Sequence, residues 1–347
     1  MVVNLLDIKS MLKHEVEYEL KKLDFLPYRA GQVCRWLASG VNAFDFMTNI
    51  PQKEREILGK YFYIDDISIE KVLSSKKKDG TRKYLFKLRD GQFVESVLMK
   101  YKYGYTACIS TQVGCKMGCK FCATGKSGFV RNLTAGEMLL QVEKINKDNN
   151  VRISHVVLMG MGEPLDNYSN VLKFLKLVSS KDNLNISKRN ISLSTCGVVN
   201  KIKDLSFEKM PITLSVSLHA SNDEVRNKIM PINKKYNMDD LLLACKQYIK
   251  KTGRRVSFEY TLISGINDSY DCALELSKKL KGMLCHINLI NLNKATLFYH
   301  PVSSNVLHKF KSVLLNKGIN VTIRRSLGED IEASCGQLRN RKILGKL

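Results

Sequence analysis

The chain has 347 residues, with 56 Lys or Arg against 33 Asp or Glu, so its formal net charge at pH 7 is +23. A hydrophobic content of 44% is enough for a sizeable core, and the length suggests one large domain with a smaller accessory domain. The positive excess is spread along the chain and favours a polyanionic partner, most commonly nucleic acid. A generally lysine-rich host is the alternative explanation for part of this charge.

Two classes of protein are excluded by the sequence pattern. The first 25 residues mix acidic residues such as Glu15 and Glu17 with lysines and lack the apolar run of a signal peptide. No stretch approaches the roughly 20 apolar residues of a membrane span. Ten cysteines in a cytoplasmic protein argue against a disulfide scaffold. We therefore expect a soluble, cytoplasmic, monomeric protein that does not contact a membrane.

Residues 1–62 are predicted to form a helical accessory domain that binds RNA. Periodic apolar residues predict helices over 7–20 and 30–39. Pro51 suits the first turn of a third helix, because proline is tolerated where the backbone N–H has no helical partner.

Residues 63–104 are predicted to form a β-hairpin extension. Asp79-Gly80 and Asp90-Gly91 are turn sequences between strand-like runs. Five cations lie in the segment 76–83 around the first turn. This basic tip looks like part of an RNA-grasping attachment, and a solvated loop is the alternative.

From residue 105 to about 300, predicted strands alternate with predicted helices. The strands are expected at 105–111, 153–159, 190–195, 212–219, 256–262 and 284–290. Thr134 and Glu137 have the spacing of a capping box at the start of the first helix. Such βα repeats predict an α/β fold with a parallel sheet curled as a partial barrel, and a flat doubly wound sheet is the alternative. Residues 301–347 are expected to hold a final helix, a strand and a cysteine-bearing segment.

Several of the predicted strands alternate polar and apolar residues. In 212–219, for example, Ser215 and Ser217 alternate with Leu214 and Val216. Helices must cover the outside of the sheet, so the apolar residues point outward and the polar residues line the concave side. Active sites of such barrels lie at the C-terminal ends of the strands.

Cys115, Cys119 and Cys122 have the spacing C-x₃-C-x₂-C and follow the first predicted strand of the barrel, with Phe121 just before the third cysteine. Three thiolates leave one iron of a [4Fe–4S] cluster open, and an open iron can bind and reduce a small molecule. The segment resembles the signature of the radical S-adenosylmethionine (SAM) enzymes. A structural zinc site is the alternative, although such sites usually have four ligands in paired knuckles.

The turn at 159–165 follows the second barrel strand and contains Gly162 and Glu163. It resembles the glycine-rich element by which radical SAM enzymes hold the methionine end of SAM, where a carboxylate can pair with an ammonium. Residues at later strand ends are candidates for the ribose, carboxylate and adenine contacts: Ser194, Ser217, Leu218, His219 and Asn293. His219 is alternatively a structural histidine.

A narrower resemblance comes from motifs that extend to the C-terminal region. They are the GMGEPL turn, Ser194-Thr195-Cys196-Gly197, Ser217-Leu218-His219-Ala220, Met230-Pro231-Ile232-Asn233 and Ala333-Ser334-Cys335-Gly336-Gln337-Leu338. Together they resemble the radical SAM adenine carbon-2 RNA methyltransferases, from about Leu26 to Leu338. That family modifies one adenosine in 23S ribosomal RNA and, in some members, one in transfer RNA.

The resemblance implies a role for each matching residue. Cys115, Cys119 and Cys122 hold the [4Fe–4S] cluster. Cys335 takes a methyl group from one SAM, and a second SAM is cleaved to a 5′-deoxyadenosyl radical that activates this methyl group for addition to adenine. Cys108 resolves the RNA–protein adduct through a disulfide with Cys335, and Glu95 is the proton acceptor. An electron donor such as flavodoxin or ferredoxin is implied.

Alternatives stay open at this point. From the residues alone, Cys108 could be a small buried hydrophobe and Glu95 a solvated strand carboxylate. A relative of the family methylates carbon 8 of the same adenosine. A non-catalytic, zinc-stabilised RNA-binding protein is the hypothesis from another class.

Overall fold

The computed structural model describes residues 5–77, 79–292, 299–325 and 327–331. At the N-terminal end, three helices and two short strands share an apolar core of their own. The elements are β1 (Leu6–Asp7), α1 (Lys13–Lys22), α2 (Tyr28–Ala38), α3 (Gln52–Tyr61) and β2 (Phe62–Tyr63). Strands β1 and β2 pair in parallel, which joins the two ends of this region.

The prediction of helix from residue 7 onward is wrong for the first few residues. Asp7 ends strand β1, and its side chain accepts a hydrogen bond from the backbone N–H of Lys9 at 3.1 Å. This local bond caps a short 3₁₀ turn, because Asp competes with helical hydrogen bonding through its own side chain. The α-helix therefore begins at Lys13.

The predicted hairpins are present as an antiparallel meander. Its strands are β3 (Ser68–Ser74), β4 (Arg82–Lys87) and β5 (Phe93–Tyr101). Gly80 and Gly91 have φ values of +72° and +81° at the two turns, a conformation that glycine adopts without steric cost. Strand β5 also pairs with the first barrel strand, so the meander forms one edge of the same ten-stranded sheet.

The rest of that sheet is parallel and follows chain order. The remaining strands are β6 (Gly104–Cys108), β7 (Gln112–Gly114), β8 (Phe129–Asn132), β9 (Ile153–Leu158), β10 (Ile191–Thr195), β11 (Thr213–Ser217), β12 (Val256–Leu262), β13 (Cys285–Asn291) and β14 (Val321–Ile323). Strands β7 and β8 form a separate ribbon, and the order across the parallel region is β6-β9-β10-β11-β12-β13-β14. A doubly wound sheet reverses its order at a switch point, and this one does not, so the barrel-type α/β prediction is confirmed.

In the described part of the chain, seven α-helices connect or follow these strands. They are α4 (Ala135–Asn149), α5 (Tyr168–Val178), α6 (Val199–Phe207), α7 (Asp223–Ile229), α8 (Met238–Thr252), α9 (Tyr270–Leu280) and α10 (Ser304–Asn316). The predicted capping box is present at α4, where the Glu137 N–H donates to Thr134 Oγ1 at 3.0 Å and the Thr134 N–H donates to Glu137 Oε2 at 2.9 Å. Within the described ranges, every helix is too short or too polar to cross a membrane.

The two faces of the sheet differ as the alternation predicts. Phe258, Tyr260 and Leu262 of β12 are fully buried in the main core, together with apolar residues of the helices. Paired residues on neighbouring strands share a face. The register pairs Cys108 with Val157, Val157 with Ser192, Ser194 with Ser215, Ser217 with Glu259 and Glu259 with Asn288. These residues line the face away from the helices, which we call the inner face.

The N-terminal region contacts the barrel through polar groups around α4. Ser10 Oγ accepts a hydrogen bond from the Gly136 N–H at 2.8 Å, and it also donates to Asp7. The buried Lys9 ammonium lies 2.7 Å from Glu143 and donates to the Leu37 carbonyl at 3.0 Å. One lysine therefore connects α2 to α4.

Asp65 lies among other carboxylates at this contact and is 4% exposed. Burial raises the pKa of Asp65 to about 7, and the negative charges of Asp7 and Glu137 contribute. In the unfolded chain the same carboxyl has a pKa of about 4. The native state therefore holds a proton that the unfolded state has lost, so this group lowers the stability as the pH rises from about 4 to 7.

We expect Asp65→Asn to raise the melting temperature by several degrees at pH 8 and by much less at pH 5, because the buried negative charge exists only at the higher pH. Thermal unfolding followed by circular dichroism at both values measures this difference. An equal gain at pH 5 and pH 8 would contradict the assignment of the effect to Asp65 ionisation.

Candidate active site

The cysteine loop is closed at its base by the β7–β8 ribbon. The Cys115 N–H donates to the Gly128 carbonyl at 2.9 Å. Gly114 has a φ of +79°, and a Cβ atom on it would lie 1.9 Å from the Gly128 oxygen. Only glycine fits at this crossing, so backbone geometry defines where the loop begins and ends.

The three thiols of this loop lie in a largely buried environment. Burial raises the pKa of Cys115 to about 12, and Glu163 and Cys122 add to the effect. The pKa of Cys119 is raised further by burial, with contributions from Cys122 and Cys115. The three cysteines lie on the one loop between β7 and β8. Cys119 and Phe121 pack on an apolar cluster that includes Ile229 and Met230.

These residues fit a cluster with three protein ligands. Thiols must lose their protons to bind metal, and a bound cation supplies the charge that burial otherwise opposes. Among the described residues, no three His, Cys, Asp or Glu side chains converge in the arrangement of a single-ion site. The assignment of these three cysteines as ligands of a [4Fe–4S] cluster stays a prediction.

The glycine-rich turn packs directly on the segment that leads into the cysteine loop. A Cβ atom on Gly160 would lie 2.5 Å from the Ile109 oxygen, and one on Gly162 would lie 2.7 Å from the Gln112 nitrogen. Gly162 also has a φ of +104°. Glycine is therefore required at both positions, because the turn and the segment 109–112 approach too closely for a side chain. This requirement holds with or without a bound ligand.

Glu163 is held in one orientation by backbone donors. Its Oε2 accepts from the Cys196 N–H at 2.7 Å, and its Oε1 accepts from the Leu165 N–H at 2.9 Å. Its own N–H donates to Gln112 Oε1 at 2.8 Å. Burial raises the pKa of Glu163, and the bonds to Cys196 and Leu165 oppose this rise. Each carboxylate oxygen can accept a further hydrogen bond from a ligand ammonium. The contact between Glu163 and SAM stays a prediction, and the orientation of the carboxylate is compatible with it.

Of the other predicted SAM contacts, Ser194 and Ser217 are half-buried on the inner face, and Leu218 is fully buried. His219 Nδ1 accepts a hydrogen bond from the Thr261 N–H at 2.9 Å, which leaves Nε2 as the protonated nitrogen. Its ring meets Phe121 edge-on, with centroids 5.0 Å apart. Burial, with a smaller effect of Arg226, lowers the pKa of His219 to about 3. The histidine is neutral and has a structural function, whether or not it also contacts a ligand.

Arg226 is an organising residue that the sequence patterns did not identify. It is fully buried. It donates to the carbonyls of Cys196 at 2.7 Å, Ser217 at 3.1 Å and Leu218 at 3.1 Å. It also donates to Asn233 Oδ1 at 2.9 Å. Only the position of Arg226 four residues before the Met230-Pro231-Ile232-Asn233 motif could have drawn attention to it.

Glu95 and Cys108 lie together at the edge of the inner face. Cys108 pairs with Val97, two residues after Glu95 on β5, and is 6% exposed. Glu95 is 1% exposed, and its carboxylate lies 3.0 Å from the equally buried ammonium of Lys83. The alternative that Glu95 is a solvent-exposed carboxylate is therefore wrong. Its role as a proton acceptor stays a prediction.

The segment 327–331 is held by the tip of the first hairpin. Asp330 accepts from Ser75 Oγ at 2.9 Å and from the Lys76 N–H at 2.6 Å. The Gly328 N–H donates to Asp79 at 3.2 Å. We call these contacts the hairpin clasp. The basic hairpin tip thus binds the chain five residues before Cys335, and its predicted contact with RNA stays a prediction.

Leu327 packs against the apolar cluster of Val97, Met99 and Cys108. The segment that leads toward Cys335 therefore passes beside Cys108. Cys335 itself and Asn293 lie outside the described residues.

Comparison with known proteins gives consistent matches along the whole chain. Residues 109–275 match the radical SAM superfamily, and residues 3–64 match the ribosomal RNA large subunit methyltransferase N-terminal domain. A Clostridium novyi protein named probable dual-specificity RNA methyltransferase RlmN is 52% identical over 91% of this chain and 92% of its own length. A protein of the same name from Clostridium tetani is 48% identical over 99% of this chain and 97% of its own length.

A solved structure matches as well. The crystal structure of a radical SAM methyltransferase from Sphaerobacter thermophilus superposes with a TM-score of 0.89. The two chains are 38% identical, and the match covers 96% of this chain and 98% of the other.

Gly114→Ala should reduce iron incorporation several-fold and destabilise the protein by about 1–3 kcal/mol, because its Cβ atom collides with the loop base. Gly128→Ala is the matched control, since Gly128 also has a positive φ of +69° but has open space around its Cβ position. Iron and sulfide content after anaerobic reconstitution, with thermal unfolding, measures both effects. Equal losses in the two variants would show that the crossing does not matter.

Proposed function

Because the chain belongs to the RlmN family of radical SAM methyltransferases, we propose that it methylates carbon 2 of an adenosine in 23S ribosomal RNA and in transfer RNA. The observation that carries this proposal is the common position of Glu95 and Cys108 on the inner face, with Leu327 packed beside Cys108. This arrangement supports the proposal, because it places a buried carboxylate and a buried thiol on the same face of neighbouring strands.

The radical SAM match implies a [4Fe–4S] cluster and SAM. Cys115, Cys119 and Cys122 would hold the cluster. Gly162, Glu163, Ser194, Ser217, Leu218, His219 and Asn293 would hold SAM. When bound, these groups supply the radical that activates an otherwise inert methyl group. Such chemistry is needed because carbon 2 of adenine is not nucleophilic and cannot accept a methyl group by polar transfer.

The protein's own thiols account for the remaining chemistry. Cys335 would receive a methyl group from one SAM, and a second SAM would be consumed in activating it. The activated carbon would bond to carbon 2 of adenine, which links RNA to protein, and the adduct would then lose one electron to the cofactor and the carbon-2 proton to Glu95. Attack of the Cys108 sulfur on the Cys335 sulfur would break the sulfur–carbon bond, form the disulfide and release the carbon, which takes up a proton to become the methyl group. Two electrons from a donor such as flavodoxin or ferredoxin would reduce that disulfide before the next turnover.

RNA as substrate is supported by the net charge of +23, which attracts a polyanion along the whole chain. The inner face is buried or half-buried along its length, so the target adenine must leave its stack to reach it. Folded RNA that is not yet assembled into a ribosome allows the adenine to be extruded, and we expect it to be the substrate.

Anaerobic turnover with SAM, a reductant and protein-free ribosomal RNA should produce 2-methyladenosine. Nucleoside digestion and chromatography against 2-methyladenosine and 8-methyladenosine standards measure the product. Transfer RNA is tested in a parallel reaction. Production of 8-methyladenosine alone would overturn the carbon-2 assignment, and no methylated adenosine from cluster-loaded protein would overturn the substrate assignment.

Cysteine variants should separate the two thiol functions. Cys335→Ala should abolish methyl loading of the protein, seen as a mass increase by intact-protein mass spectrometry. Cys108→Ala should load normally but accumulate an RNA–protein adduct on denaturing gels. Cys272→Ala, on the outer helix α9, is the control and should behave as wild type. Normal turnover by Cys108→Ala would contradict the two-thiol scheme.

A further inference from the structure

From the buried ion pair on the inner face we infer that Lys83 is a positioning residue for catalysis: it holds Glu95 as an oriented, ionised carboxylate at the site where the RNA adduct is resolved. The inference rests on the proposed function, because it assumes that Glu95 accepts a proton. It adds a residue to which neither the motifs nor the resemblance assigns a role.

The register places Lys83 on the same sheet face as the reacting groups. Lys83 of β4 pairs with Val97 of β5, and Val97 pairs with Cys108 of β6. Adjacent strands lie about 4.8 Å apart, so the lysine backbone is two strand spacings from Cys108. Lys83 Nζ reaches back to Glu95 Oε2 at 3.0 Å. The ammonium, the carboxylate and the thiol thus share one face of three neighbouring strands.

Because Glu95 is buried, it needs the Lys83 ammonium beside it to remain ionised. Lys83 is fully buried and Glu95 is 1% exposed. A lone carboxylate without solvent takes up a proton, because the charged form loses its hydration. An ammonium at hydrogen-bonding distance reverses that preference and fixes the direction in which the carboxylate points. An already protonated Glu95 could not accept another proton.

The step affected is the removal of hydrogen from carbon 2 of the RNA-linked adenine. The adduct first gives its unpaired electron back to the cofactor; the C–H bond then breaks, its electron pair restores the aromatic ring, and the proton forms an O–H bond on Glu95. Lys83 keeps its positive charge throughout the step. Because this charge favours the ionised carboxylate, the protonated Glu95 readily releases its proton afterwards. Methyl loading of Cys335 precedes this step and does not need the ion pair.

Lys83→Met should therefore load methyl at the wild-type level, within about twofold. It should lower the kcat for methylated RNA by about a hundredfold, leave the KM for RNA unchanged and accumulate the RNA–protein adduct. Lys83→Arg keeps a cation beside Glu95 and should restore at least a tenth of the wild-type kcat without adduct. Lys87→Met is the matched control, because Lys87 is an exposed lysine of the same strand, and it should match wild type.

Each outcome decides a different point. Wild-type turnover by Lys83→Met overturns the inference. So does the loss of methyl loading in both Lys83 variants, because that pattern assigns the lysine to folding alone. If wild-type protein forms neither adduct nor methyladenosine, the proposed function fails instead, and the two failures are therefore distinguishable.

Discussion

The guanidinium of Arg226 is the interaction on which the arrangement of the site depends. It is fully buried and is satisfied by four acceptors, three of them backbone carbonyls that follow or end β10 and β11. A buried cation is stable only when its donors are satisfied. The strand ends that carry the predicted SAM contacts are thus fixed by one side chain. Glu163 joins the same network through the Cys196 N–H.

The inner face as a whole concentrates buried charge, whereas the helix-covered face is apolar. Lys83 and Glu95 form an ion pair at one edge of the inner face. Glu259 lies toward the other edge, where Oε1 accepts a 3.3 Å hydrogen bond from Asn288. Burial raises the pKa of Glu259, and Arg324 opposes this rise. Buried charged groups of this kind are stable only where neighbouring strands supply partners. Their removal from water also makes them reactive toward a ligand.

Local sequence signals were sufficient for most of the fold. The six expected barrel strands occur within three residues of their predicted limits, and the capping box at Thr134 is present, because alternation, turn residues and caps act over a few positions. Contacts between distant residues could not be predicted in this way. Arg226 acts on Cys196, which is 30 residues away. The continuity of the hairpin meander with the barrel sheet likewise depends on pairing between β5 and β6 and not on composition.

The site shows the same division. Spacing alone identified Cys115, Cys119 and Cys122, and close backbone approach explains Gly160 and Gly162. The role of Glu95 came from resemblance, and its partner Lys83 could be found only from the register of two antiparallel strands. His219 was expected in the inward phase of a strand, but β11 ends at Ser217 and His219 has a φ of +55°. Its Nδ1 bonds to the Thr261 backbone, a tertiary contact that alternation does not report.

The hairpin clasp makes the C-terminal cysteine a tethered reactant. Cys335 lies five positions after Asp330, and a fully extended chain over five positions spans at most about 17 Å. Any group that this thiol meets must lie within that radius of the clasp. A tether so short keeps its end at an effective concentration of at least about a millimolar. If Cys335 and Cys108 react as proposed, the length of this tether sets how often they meet, and lengthening the chain between Asp330 and Cys335 would dilute one thiol with respect to the other.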